Sequence, residues 1–204
     1  MSKAQIKAVL FDGDGVLITP PGLFSQHYAK SIGVDPKSFL PFFKGIFRDA
    51  LEGKADLKEQ ITANPDIWHW EGDPTLLLAQ WFDYENHKDE LLLEVVEQLR
   101  SKGVLVGLAT DQEQYRTEYL REVMFQGTFD FVFAACEIGY RKIDPVFFDT
   151  VMNVLSANGV KDPSEVIYFD DAQNNIDTAS SVGIQAYLYQ DVAQVQKLLH
   201  SVLA

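Results

Sequence analysis

Two carboxylates one residue apart, Asp12 and Asp14, interrupt the chain directly after the apolar run Val9-Leu10-Phe11, and Gly13 and Gly15 follow them. Such a pair can hold a hard cation through oxygen, and one member can attack an electrophile while the other handles a proton. The glycines let the backbone turn tightly and come close to a ligand. Asp-Gly is also a common hairpin turn, so these residues alone leave turn and site open. A calcium loop fails, because its third ligand position is Val16 and its closing glutamate position is Leu23.

Similar groups recur at the ends of later apolar runs. Val104 to Ala109 stops at Thr110-Asp111, and Val166 to Phe169 stops at Asp170-Asp171, with Asn175 close behind. Gly139-Tyr140-Arg141-Lys142 forms a basic loop before Asp144-Pro145. With 129–134 and 184–188, these runs read as five strands, the first two of them buried. Amphipathic stretches over 89–102, 112–124, 144 onward, 173–181 and 191–203 read as helices between and after them. Asp144 with Pro145 predicts an N-cap and a first turn, and Asp191 with Gln194 predicts a capping box. Asp111 with Gln114 predicts another cap, which would turn the Asp111 side chain away from any site; facing inward, it would select a hydroxyl or an amine.

Strands alternating with helices imply an α/β fold, a Rossmann-like parallel sheet with helices on both faces, whose strands share one carboxyl rim. Asp12, Asp14, Thr110, Asp170 and Asp171 all fall at that rim, with Lys142 in a nearby loop. There, Asp12 and Asp170 can supply oxygens to Mg²⁺, and the metal and Lys142 offset the acids' charge. Asp12 can attack phosphorus, while Asp14 protonates the leaving oxygen and later activates water. Thr110 and the backbone amides near Gly13 and Asp111 can bond the phosphoryl oxygens.

Residues 19–87 break the alternation. Helical segments are expected over 23–32, 36–51, 56–63 and 74–83, with a capping box at Asp56 and Glu59 and helix ends at Gly33, Gly53 and Gly72. An all-helical block of this length between the first two strands is an insertion, a lid over the core formed by 1–18 and 88–204. Lys44 and Arg48 can meet a polar substrate or form a solvated face, the plainer reading. Trp68-His69-Trp70, Trp81 and Phe82 can wall a pocket or, more simply, pack the cap. The four histidines show no metal-ligand spacing.

Seventeen basic against thirty acidic residues give a net charge of −13, which argues against nucleic acid and anionic membranes as partners. Cys136 is the only cysteine, which excludes internal disulfides, and it reads as packing. A short polar leader without a signal peptide, and no run near the ~18 residues of a membrane span, imply a cytoplasmic protein.

At the level of motifs the whole chain resembles the haloacid dehalogenase superfamily, in its phosphatase branch with a helical cap after the first strand. The first motif stands as Asp12-Gly13-Asp14-Gly15-Val16-Leu17, the second as Thr110, the third as Lys142 before Asp144-Pro145, and the fourth as Asp170-Asp171 with Asn175. The resemblance implies a nucleophile at Asp12, an acid/base at Asp14, and Mg²⁺ held by Asp12, Asp170 and the Asp14 carbonyl. Asp171 would help through water or orient Lys142, and Asn175 would brace the following helix or touch the metal's surroundings. Two positions depart from the pattern: Asp111 replaces a frequent asparagine, and Ile143 replaces a frequent proline, which should loosen the loop. The expected activity is phosphomonoester hydrolysis of a small phosphorylated metabolite such as a sugar phosphate. Phosphomutase or phosphotransferase chemistry uses the same residues with another acceptor. Dehalogenation would leave Asp14 superfluous, and an idle binding module would not need Asp12, Asp14, Lys142 and Asp170 intact.

Overall fold

The computed structural model describes residues 5–203. The first four residues of the polar leader and Ala204 lie outside the described residues. The first strand, β1 (Ala8–Phe11), is followed by a helical stretch: α1 (Phe24–Ile32), α2 (Leu40–Lys44), α3 (Ile46–Leu51), α4 (Leu57–Ala63), α5 (Pro65–Trp68) and α6 (Pro74–Tyr84). Then come α7 (Glu90–Ser101), β2 (Leu105–Thr110), α8 (Gln114–Tyr119), β3 (Phe131–Ala134), α9 (Ala135–Ile138) and α10 (Pro145–Ala157). The chain closes with β4 (Val166–Asp170), α11 (Gln173–Ser181), β5 (Gln185–Leu188), α12 (Val192–Leu198) and α13 (His200–Leu203).

The sheet is parallel throughout, in the order β3-β2-β1-β4-β5. Its strands alternate between two apolar layers because successive side chains leave opposite faces. Val9, Phe11, Val106, Leu108, Ile167 and Phe169 enter one layer, against Leu92, Val95, Val96 and Leu99 of α7. Ala8, Leu10, Ala109, Val166 and Tyr168 enter the other, against Phe147, Phe148, Val151 and Leu155 of α10. Each fully buried Leu, Val or Phe contributes roughly 1.5–3 kcal/mol. The helical stretch has its own apolar cluster, in which Trp68 is fully buried among Tyr28, Phe39, Phe42 and Phe43, with Trp81 packed beside it.

Several local expectations need correction. The helix expected over 36–51 opens as a 3₁₀ turn and is interrupted at Gly45, whose φ/ψ of −116°/−99° is not helical. Gly72 ends no helix; α5 ends at His69, which takes the left-handed conformation itself. The helix expected from 112 starts two residues later and passes into a π-turn over Leu120–Met124. The final helix is split at Leu199. At Asp56 and Asp191 the cap aspartate accepts from the third residue's N–H, but Gln194 bonds the Gln190 N–H rather than closing the box. Among the described residues, no helix is long and apolar enough to cross a membrane.

Candidate active site

The strand order reverses about β1, which has β2 on one side and β4 on the other, and such a switch point opens a crevice at the carboxyl rim. Phe11 is in register with Phe169, and the Asp12 N–H donates to the Phe169 carbonyl at 2.9 Å. Asp12 and Asp170, each the next residue on its strand, are therefore forced side by side. On the other flank Phe11 is in register with Leu108, which places Gly13 against Thr110. A Cβ at residue 13 would lie 3.0 Å from the Thr110 Oγ1, tighter than ordinary contact, so glycine keeps this approach uncrowded.

Lys142 closes the group. Its Nζ lies 2.5 Å from Asp12 Oδ1 and 2.8 Å from Asp170 Oδ2, and all three side chains are buried. Asp12 Oδ1 also accepts from the Gly13 N–H at 2.6 Å. Asp170 is densely bonded: it accepts from Tyr168 Oη, from the Ala172 N–H at 2.7 Å, and from Asn175 Nδ2 at 3.1 and 3.2 Å. Asn175 thus braces the acid rather than the helix end.

Burial pushes the Asp12 carboxyl well above the ordinary range, against the pull of the Lys142 ammonium, with Asp170 and Asp14 adding to the rise. Burial also opposes the charge on Lys142, but Asp12 and Asp170 overcome it and raise that ammonium's pKa. Asp170 moves down: its burial is outweighed by Lys142 and the Tyr168 hydroxyl. Asp171 moves up through burial and then through Asp170. Three carboxylates around one ammonium leave an excess of negative charge.

Oxygens of Asp12, Asp170 and Asp171 lie within 4.8 Å of one another. Oxygen donors at this spacing, with uncompensated charge, fit a hard divalent cation. Asp170 can offer it an oxygen by giving up the long, bifurcated Asn175 bond. Gly15 has a φ of +79°, and a side chain there would collide with the Asp171 carboxylate, so glycine at 15 keeps Asp171 in this group. The Asp14 carbonyl accepts no backbone hydrogen bond among the described residues, because the turn's N–H groups at 16, 17 and 18 all point to the Gly13 carbonyl.

The Asp14 carboxylate stands apart from this group. It is exposed, and its Oδ2 accepts from Gln112 Nε2 at 2.6 Å. Gln112 is buried, lies 98 residues along the chain, and was not anticipated from the sequence; the only available signal was a polar residue closely following the second strand.

Asp111 corrects an expectation. It does not cap α8; Glu113 does, accepting from the N–H groups of Tyr115 and Arg116 at 2.8 and 2.6 Å, and burial pushes its carboxyl up to about 7. Because the chain runs on past Thr110 before turning into α8, the Asp111 side chain is directed at the basic loop. Its Oδ1 accepts from the Lys142 N–H at 2.9 Å and its Oδ2 from Arg141 Nε at 3.1 Å. The two departures noted in the sequence therefore meet: the loop that has Ile143 in place of a proline is clasped by Asp111.

A cavity of about 670 Å³ opens over these groups, lined by Asp12, Asp14, Thr110, Asp111, Lys142 and Asp171 on the core side. The helical stretch contributes Leu23, Gln26 and Glu85. Lys44 and Arg48 are exposed and do not line it, and Trp68 and Trp81 belong to the aromatic cluster. Cys136 is half-buried with Sγ 3.5 Å from Thr117 Oγ1, and burial pushes its thiol up, away from a reactive thiolate.

Fold and rim together define a parallel α/β protein with an acid-rich site at the carboxyl ends of its strands. A family profile for haloacid dehalogenase-like hydrolases matches residues 6–183, and the chain belongs to that family. It is 24% identical over 189 residues to a phosphorylated carbohydrates phosphatase of Thermotoga maritima, covering 88% of this chain and 83% of the relative. It is 26% identical over 116 residues to the rat bifunctional epoxide hydrolase 2, covering 54% of this chain but 20% of that protein. Among solved structures, a HAD family enzyme of Bacteroides thetaiotaomicron superposes with a TM-score of 0.80 at 20% identity, over 96% of this chain and 99% of the other. That enzyme has also been solved with magnesium and inorganic phosphate.

Proposed function

We propose that the protein is a Mg²⁺-dependent phosphomonoesterase that acts through a phosphorylated Asp12 on a small phosphorylated metabolite. The observation that carries this is the convergence of Asp12, Asp170 and Asp171 beside Lys142, with Asp14 held separately by Gln112. The phosphatase name of the Thermotoga relative and the magnesium and phosphate bound by the Bacteroides enzyme agree with it. Asp12, Asp170, Asp171 and the Asp14 carbonyl would hold the ion, which supplies positive charge opposite the phosphoryl oxygens.

The chain's own residues account for the rest. Lys142 and the Gly13 N–H hold Asp12 Oδ1, so the second carboxylate oxygen remains to attack phosphorus. As the phosphorus–oxygen ester bond breaks, Asp14 gives its proton to the leaving oxygen. The Asp14 carboxylate then takes a proton from water, which attacks the phosphorus of the aspartyl-phosphate, releases phosphate and restores Asp12. Thr110 and Lys142 bond the phosphoryl oxygens as charge spreads over them.

Phosphate release from an aryl phosphate, assayed with Mg²⁺ and again after chelation, tests the proposal. Turnover should appear with the ion and disappear without it; full activity in chelator would discard the mechanism.

Gln112 supplies a second test. Its amide donates to one Asp14 oxygen and so reserves the other for the transferred proton. Gln112→Leu should lower kcat on an alkyl phosphate by about 10²-fold, within the range that general acid catalysis contributes. An aryl phosphate, whose leaving group needs little protonation, should lose much less. Equal losses on both substrates would remove Gln112 from the proton transfer.

A further inference from the structure

The cavity over the rim is large enough for a phosphoryl group and a leaving group of sugar size, since sites for small molecules run from about 300 to 1,000 Å³. Its charge is distributed unevenly. Lys142 is the one cation among the described residues that line it, and that ammonium is already bonded to Asp12 and Asp170. Arg141, next to it, is engaged by Asp111. Beside the core groups, the cavity is lined by Ile18, Pro20, Leu23, Gln26 and Glu85.

Glu85 is the charged group that the helical stretch contributes to the lining. It follows directly on α6, and its Oε1 accepts from the Phe24 N–H at the start of α1 at 3.0 Å, with the Trp81 indole alongside. The bond to Phe24 ties the junction of the helical stretch together and holds the carboxylate in place. A carboxylate has room for about four hydrogen bonds, so Glu85 can still accept from a ligand.

We propose that Glu85 reads the leaving group, so that the site takes monophosphate esters carrying hydroxyl or ammonium donors and rejects those carrying a second anion. The proposal rests on the phosphomonoesterase reading above. A dianionic phosphoryl group finds its compensation at Lys142 and at the cation held by the acids. The Arg116 guanidinium acts on Glu85 but is buried, bonded to the Phe82 carbonyl, and does not line the cavity. A second phosphate or carboxylate there would therefore face the Glu85 carboxylate with no cation in the cavity beside it, and like charges held at fixed positions discriminate by repulsion. A hydroxyl or ammonium there donates to the carboxylate.

The test compares kcat/KM for a hexose 6-phosphate and the 1,6-bisphosphate of the same sugar, in the wild-type protein and in Glu85→Gln and Glu85→Lys. The wild type should favour the monophosphate by about 100-fold or more. Glu85→Gln keeps an oxygen for the Phe24 N–H and should narrow the ratio about fivefold, and Glu85→Lys should narrow it at least about tenfold. The ratio within one variant is independent of the fraction correctly folded. The 2-amino analogue of the monophosphate separates the donors: a gain over the parent sugar marks an ammonium reader and equality a hydroxyl reader, both within the proposal. Equal kcat/KM for mono- and bisphosphate in the wild type, or a ratio unmoved by Glu85→Lys, would overturn it. Failure to hydrolyse any phosphate ester, aryl phosphate included, would instead overturn the underlying phosphomonoesterase reading, and this proposal with it.

Discussion

Asp12→Asn should eliminate phosphate release, with a loss of at least about 10⁴-fold, while the fold survives. Losses of this size follow removal of a nucleophile from a site whose other parts remain. The amide is isosteric, and its oxygen can still accept from the Gly13 N–H and from Lys142, the two bonds that position Oδ1. It is too weak a nucleophile to form the aspartyl-phosphate. The wild-type carboxylate is buried at the floor of the cavity, and burial works against its charge. Because Lys142 keeps Asp170 as its partner, removing that charge should leave the thermal midpoint unchanged or raise it, in the absence of added metal. Circular dichroism melts and aryl phosphate turnover, measured on the same preparation, check both halves. A variant that keeps a tenth of wild-type activity would eliminate Asp12 as the attacking group.

Lys142→Met carries the second large effect, and it separates stability from catalysis. The ammonium is 2% exposed and stands between two buried carboxylates. Removing one partner of a buried ion pair leaves uncompensated charge and costs about 3–5 kcal/mol. Methionine fills most of the space, so the loss is one of charge rather than packing. In metal-free buffer the urea midpoint should fall accordingly. In Mg²⁺ the deficit should shrink, because an ion held by Asp12, Asp170 and Asp171 restores positive charge to the same carboxylates. Activity should not recover with it if Lys142 also bonds the phosphoryl oxygens, as proposed. Equal midpoints for variant and wild type without metal would show that the buried pair is worth nothing to the fold. Full turnover in Mg²⁺ would remove Lys142 from the chemistry.

The parts of the site carried by short motifs were readable in the chain. Asp12, Thr110 and Asp170 each stand at the end of an apolar run, and strand continuity alone puts them on one rim. Asp144 caps α10 as its Asp-Pro spacing requires. The aromatic residues at 68 and 81 pack the helical cluster, as a small apolar core needs them to. Asp111 was misread because Asp-x-x-Gln is a good local cap. A strong tertiary partner, the loop at 141–142, outweighs that local preference. Gln112 was missed because nothing in its own neighbourhood marks it; its role comes from a residue in the first strand's turn.

Residue type and periodicity by themselves determined the parallel α/β architecture, the helical insertion after the first strand, and the identity of the acids and the lysine at the rim. These features follow from local rules of burial, turn formation and strand termination, which act within a few residues. Only the tertiary structure decided which acids lie close enough to share a cation, that Gln112 holds Asp14, that Asp111 clasps the lysine loop, and that Glu85 lines the cavity. Each of these depends on strand order and register, which bring together groups tens of residues apart, and no local pattern encodes a distance between them.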